Sequence, residues 1–198
     1  MATPFWKASR IAVFFLALAV AAPSFGQYPI PQNPWEFDYS QYPPIHHAVP
    51  YHKQETMVWC WVASAKMICE YYGRMPVPSQ CEMLQSQYDT PCCQSPELCA
   101  RPGQMFEIQA LIARFGGRYS GVSMPANGFV LYDQLRRGPI IMQTRQGSGH
   151  AIVATGMRIV PSNFGPLGIV SINDPLYGQY EVDFPTLIQA WLAALVVY

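Results

Sequence analysis

Between residues 58 and 115 the apolar side chains recur at intervals of three and four; between residues 139 and 184 they gather in runs rich in Ile, Val and Thr. That change of period constrains the fold more than any other feature. Val62, Ala65, Ile68, Cys69 and Tyr72 fit one face of a helix running from Val58 to Tyr72, which Gly73 ends. Pro78-Ser79 opens a second short helix reaching about Gln87. Met105, Ile108, Leu111, Ile112 and Phe115 mark a third, closed by Gly116-Gly117. Leu131 to Arg137 reads as a short helix or turn. Strands are expected at Pro139–Thr144, His150–Ile159, Gly168–Asn173 and Gln179–Phe184, with Gln146–Gly149 as a tight connection. The tail from Pro185 to Tyr198 reads as a short helix with a last strand. Helices first and antiparallel strands after predict an α+β fold, the N-terminal helices packed on a C-terminal sheet.

The first 50 residues have a different texture. Lys7 and Arg10 precede the apolar run Ile11 to Ala22, and Pro23-Ser24-Phe25-Gly26 follows. A basic end, an apolar centre and a small-residue exit are the parts of a secretory signal peptide, here residues 1–26. Ala21 is an alternative cleavage point. The run is about a dozen residues against the roughly 20 that span a bilayer, so no stable membrane anchor is expected after its removal. Residues 27–50 repeat prolines and aromatics without a period and read as a proline-rich arm or short pro-segment. Residues 51–198 then form one domain. Loss of residues 1–26 leaves 10 basic against 12 acidic residues. With no basic patch, nucleic acid is a poor partner. A secreted or periplasmic location follows from the leader.

An oxidising compartment pairs cysteines. Cys81, Cys92, Cys93 and Cys99 lie in a stretch rich in Pro, Ser and Gln that reads as a disulfide-stapled loop. Four cysteines allow three pairings, and adjacent Cys92 and Cys93 are poor partners for each other, which leaves Cys81 and Cys99 as their mates in either order. A zinc site wants four ligands at suitable spacing; Cys-Cys-x5-Cys with no nearby histidine does not offer them, so no metal is expected. Cys69 lies among Ile68 and Tyr72 and reads as a buried, inert helix thiol. Cys60 asks for a reason.

Cys60 opens a helix, where the positive end of the dipole favours an anionic sulfur. Such a nucleophile needs a base. Three of the four histidines, His46, His47 and His52, lie upstream, in or just after the arm; only His150 stands in a strand segment downstream. Asn173-Asp174-Pro175 ends the next strand, the right place for a group that orients the imidazole. Neighbours on a strand point to opposite faces, so only one of Asn173 and Asp174 can face His150. Gln54, six residues before Cys60, can bring an amide beside the sulfur as an oxyanion donor, with the Cys60 N–H as the other. Trp59 and Trp61 are expected to pack against core and cleft walls.

The order Gln54, Trp59-Cys60-Trp61, Gly149-His150, Asn173-Asp174-Pro175 resembles the papain-like cysteine peptidases. More narrowly, Trp59 through Ala65 with Tyr71-Tyr72-Gly73, and the Gln80-Cys81 and Cys92-Cys93…Cys99 loop, resemble the bacterial group that includes the effector peptidase AvrRpt2. Gly138-Pro139-Ile140, Gly149-His150-Ala151 and Asp174-Pro175 resemble the C39-like, bacteriocin-processing peptidases. The resemblance covers about residues 51–198. It implies a papain-like fold and a cofactor-independent enzyme acting on a peptide or protein. It also implies Cys60 as nucleophile, His150 as base, Asp174 as orienting acid and Gln54 in the oxyanion hole. Papain itself has Asn followed by Trp as the third member; the narrower group's Asp-Pro pattern favours Asp174 over Asn173. The same triad would serve an acyltransferase or amidase, and a peptidase scaffold can also be a non-catalytic binding or effector module.

Overall fold

The computed structural model describes residues 37–73, 76–147 and 149–198. The chain divides into two units, Met1–Ile30 and Pro31–Tyr198, and every described residue belongs to the second. The expected signal peptide and the first part of the arm, residues 27–36, lie outside the described residues.

Helix α1 spans Cys60–Tyr71. Its first ten residues, Cys60 to Cys69, are all buried, so it is the central rod of the helical half rather than a surface helix. It stops where Gly73 takes φ 64° and turns its N–H back to the carbonyls of Cys69 and Glu70. Helix α2, Gln80–Tyr88, starts with a capping box: the Ser79 N–H donates to Glu82 Oε2 at 2.8 Å and the Glu82 N–H to Ser79 Oγ. Helix α3, Met105–Leu111, widens into a π-helical turn over Ile112–Gly116, so the predicted third helix exists but changes pitch before its glycines. Helix α4 covers Gly128–Leu135 under an Asn127 cap, starting three residues earlier than expected, and α5 covers Phe184–Ala190.

The strands are β1 (Ile45–His46), β2 (Ser120–Ser123), β3 (Ile140–Thr144), β4 (His150–Ser162), β5 (Gly165–Asp174), β6 (Gly178–Asp183) and β7 (Trp191–Val197). They form one antiparallel sheet in the order β2-β7-β3-β4-β5-β6, with β1 added to β4. Its two faces follow from the pleat. Ile141, Val153 and Leu195 face α1–α3, while Ile140, Met142, Ile152 and Val170 face α4 and α5. Burial on both sides explains why these strands read as continuous apolar runs. Strand β2 was not foreseen. Ser-Gly-Val-Ser has no alternation to read, and it holds the sheet edge by pairing with β7.

Residues 37–50 are strapped across the sheet. Phe37 is buried and stacks on Tyr42, and the Tyr132 hydroxyl donates to the Pro43 carbonyl at 2.6 Å. Strand β1 then pairs Ile45 with Met157 and His46 with Gly156. Position 156 has no room for a side chain, because a Cβ there would lie 2.2 Å from the Ile45 carbonyl oxygen. The strap ends at buried Val49, whose carbonyl accepts from Asn173 Nδ2 at 3.1 Å.

Candidate active site

Cys60 is the first residue of α1, and Ser64 is one turn further on the same face. The Ser64 hydroxyl donates to the Ala151 carbonyl at 3.2 Å, and the Ala151 N–H donates to Cys60 Sγ at 3.5 Å. These two contacts dock the start of the helix on the start of β4. That brings His150, the first residue of β4, beside the sulfur, and both side chains line the same cavity.

The other side of the imidazole is fixed by a carboxylate. His150 Nε2 donates to Asp174 Oδ1 at 2.7 Å, and Asp174 is wholly buried. Asp174 Oδ1 also accepts from the backbone N–H groups of Leu176 (2.8 Å) and Tyr177 (3.1 Å), and Oδ2 accepts from the Tyr180 hydroxyl at 3.3 Å. Burial alone would raise the Asp174 pKa, but the His150 bond and the two backbone donors outweigh it and hold it below the usual carboxylate value. Burial likewise works against a charged His150. The bond to Asp174 and the neighbouring Cys60 sulfur prevail and raise its pKa to about 9. Tyr180 is pushed up to about 12 by burial and by the neighbouring carboxylate. The Tyr177 ring stands edge-on to the imidazole, centroids 6.3 Å apart.

Asn173 faces away, as the pleat requires. Its Nδ2 holds Val49, and its Oδ1 accepts from Gln179 Nε2 at 2.8 Å. Gln54 is buried, and its backbone N–H donates to the carbonyl of Pro175, next to Asp174, at 3.0 Å. Its Nε2 donates to the Thr56 carbonyl at 2.8 Å and its Oε1 has no partner among the described residues. The structure thus brings Cys60, His150 and Asp174 into one chain of contacts. It sets Gln54 beside the Asp174–Pro175 turn, outside the residues that line the cleft.

Cys60 and His150 open on a cavity of about 370 Å³. One wall comes from a segment whose part sequence reading missed. Trp59 Nε1 donates to the Cys99 carbonyl at 3.0 Å and Trp61 Nε1 to the Arg101 carbonyl at 3.3 Å. Gly103 then lies flat on the Trp61 indole; a Cβ there would come within 2.1 Å of the ring. The two indoles flanking the cysteine were the available signal, together with the Pro102-Gly103 pair that permits so close an approach. The loop behind this wall is closed by Cys81–Cys93 and Cys92–Cys99, so the adjacent cysteines take different partners. Cys60 and Cys69 are free thiols. Burial pushes Cys69 up to about 12, and its Sγ rests against the Leu111 carbonyl. Among the described residues no group of three or more His, Cys, Asp or Glu could hold a metal ion, and no helix is long and apolar enough to cross a membrane.

The family model described as papain-like cysteine protease AvrRpt2 matches residues 44–187, which include Gln54, Cys60, His150 and Asp174. The chain belongs to this family. The fold of this AvrRpt2-family protease is also that of several solved structures, each over 78% of the chain. A double-glycine-motif protease of an AMS/PCAT transporter, solved with its leader peptide, is 19% identical with a TM-score of 0.52 over 96% of its own length. A C39-like peptidase from Bacillus anthracis is 15% identical, with a TM-score of 0.52 over 98% of its length. UfSP from C. elegans is 13% identical, with a TM-score of 0.53 over 34% of its length. No curated protein is a significant match to the protease.

Proposed function

We propose that the protein is an exported cysteine peptidase that hydrolyses peptide bonds through Cys60, His150 and Asp174, with Gln54 as an oxyanion donor. The observation that carries this reading is the chain of contacts from Asp174 through His150 to Cys60, open at its sulfur end to the cavity. Cys60 sulfur attacks the peptide carbonyl carbon. The electron pair of the carbonyl moves to oxygen, where the Cys60 N–H and the second hydrogen of the Gln54 amide, the one not given to Thr56, meet the charge. His150, held charged by Asp174, gives its proton to the leaving amine. The imidazole then takes a proton from water, which attacks the thioester and frees Cys60. Asp174 stays ionised throughout and fixes which ring nitrogen faces the sulfur.

The cavity wall bears on the substrate. Met57, Val58, Trp61, Met105, Ile108 and Ile141 line it, with Gln104, Gln143 and Gln146, and among the described residues no Asp, Glu, Lys or Arg does. Such a surface suits an uncharged stretch of peptide with an apolar side chain near the scissile bond. The transporter protease of similar fold was solved with a peptide, the same kind of partner. Export is supported by the composition of residues 1–26, and a mature N-terminus at Gln27 read by mass spectrometry tests it.

The deciding experiment is Cys60→Ala. The variant should keep the circular dichroism and melting temperature of the parent and lose all cleavage of a peptide library. Cleavage that survives the substitution refutes the assignment. Products carrying an added amine instead of a hydrolysed end would make the enzyme an acyltransferase.

A further inference from the structure

We infer that Gln80 is a positioning residue that fixes the oxyanion donor, acting through Gln54; the inference rests on the role proposed for Gln54 above. Gln80 is the first residue of α2 and is 2% exposed. Its amide is used at both ends on one short piece of backbone. Nε2 donates to the Lys53 carbonyl at 2.7 Å, and Oε1 accepts from the Glu55 N–H at 3.0 Å. Those two peptide groups flank Gln54, whose own N–H donates to the Pro175 carbonyl at 3.0 Å. Three hydrogen bonds therefore hold three consecutive residues that belong to no helix or strand. The segment is hung between α2 on one side and the turn after Asp174 on the other.

What this clamp orders is specific. Of residues 53–57 only Gln54 is buried; Lys53, Glu55 and Met57 are exposed and Thr56 is intermediate. The clamp therefore contributes little core and fixes one side chain. The chemistry of position 80 is equally narrow. A buried group must donate to one peptide and accept from another at that reach, and an uncharged amide of Gln length does both. Glu cannot donate to Lys53 when ionised, and Met can do neither. Helix α2 does not depend on this amide, since Ser79, Glu82 and the Cys81–Cys93 bridge hold its start.

The test compares Q80M, Q54A and the double variant on a peptide amide that the parent cleaves. The second readout is the rate at which iodoacetamide alkylates Cys60 at about pH 6, below the free-thiol range. Alkylation builds no oxyanion, so it reports the sulfur and His150 but not Gln54. Q80M should lower kcat by about 10- to 100-fold, the scale of a small misplacement at a reacting centre, with KM and the alkylation rate within about twofold of the parent. In the Q54A background Q80M should cost nothing further. An equal further loss there, or a parallel fall in alkylation, overturns the inference by making Gln80 a general structural residue. If Q54A costs about 10²- to 10³-fold in kcat but Q80M costs nothing, Gln80 alone loses its role. If Q54A itself leaves kcat intact, the oxyanion reading falls and the positioning role falls with it. Should Q80M fail to fold, Q80E, which keeps the shape and the acceptor for Glu55, is put through the same measurements.

Discussion

His150 is pulled two ways, and the balance sets the working range of the site. Burial disfavours its charge, while the bond to Asp174 and the nearby Cys60 sulfur favour it, and its pKa rises from 6.5 to about 9. A raised histidine contributes its stabilisation fully below the ordinary value and loses it as pH rises through about 9. Asp174 is lowered, so its share is present above 3.8 and is lost as pH falls through its folded value. Hydrolysis should therefore show an alkaline limb near pH 9, where the proton destined for the leaving amine is lost. Asp174→Asn should move that limb to lower pH and reduce kcat by roughly 10²-fold. A pH–rate profile of both proteins checks it, and an unmoved limb would refute the pairing. Cys69, with its thiol raised to about 12, should resist iodoacetamide at neutral pH, and Cys69→Ala should keep full activity. Of the two neighbours on the strand, the pleat lets only one reach His150, and it is Asp174. Asn173 turned out to anchor the strap, a use that no local motif announces.

The helices and strands that bury a face were readable because burial imposes their period. Helix α1 and strands β3 to β6 stand close to where the sequence puts them. The pieces that were not readable bury little of their own. Strands β1 and β2 exist because a neighbour offers an edge, and the cleft wall from Cys99 to Gln104 exists because two indole N–H groups receive it. That wall gives a test at its own scale. Gly103→Ala puts a methyl where the Trp61 ring lies, so the wall must shift. Stability should fall by about 1–3 kcal/mol, the usual cost of overpacking, and KM should rise while the Cys60 alkylation rate is unchanged. Melting curves and steady-state kinetics separate the two effects. A KM equal to that of the parent would mean that this wall does not touch substrate.

Across the whole molecule, the strap from Phe37 to Val49 links the α4 side of the sheet to the turn that carries Asp174. A chain starting at residue 37 retains every contact described above. One starting at residue 51 loses buried Phe37 and Val49, together about 3–6 kcal/mol of apolar burial, and strands Asn173 without its acceptor. Against a total of about 5–15 kcal/mol for a domain, the shorter chain should melt far below the longer one or not fold, which a thermal scan of the two decides. The alternation of partners between Cys92 and Cys93 has a practical corollary. The bridges close short stretches, 12 and 7 residues apart in sequence, each contributing about 2–3 kcal/mol. A preparation kept in strong dithiothreitol to protect the Cys60 sulfur from air would open four others, and the cleft would lose its wall while Cys60 stayed reduced. Activity plotted against reductant dose should climb, peak and fall, so the useful buffer for this protein is a poised mixture of thiol and disulfide.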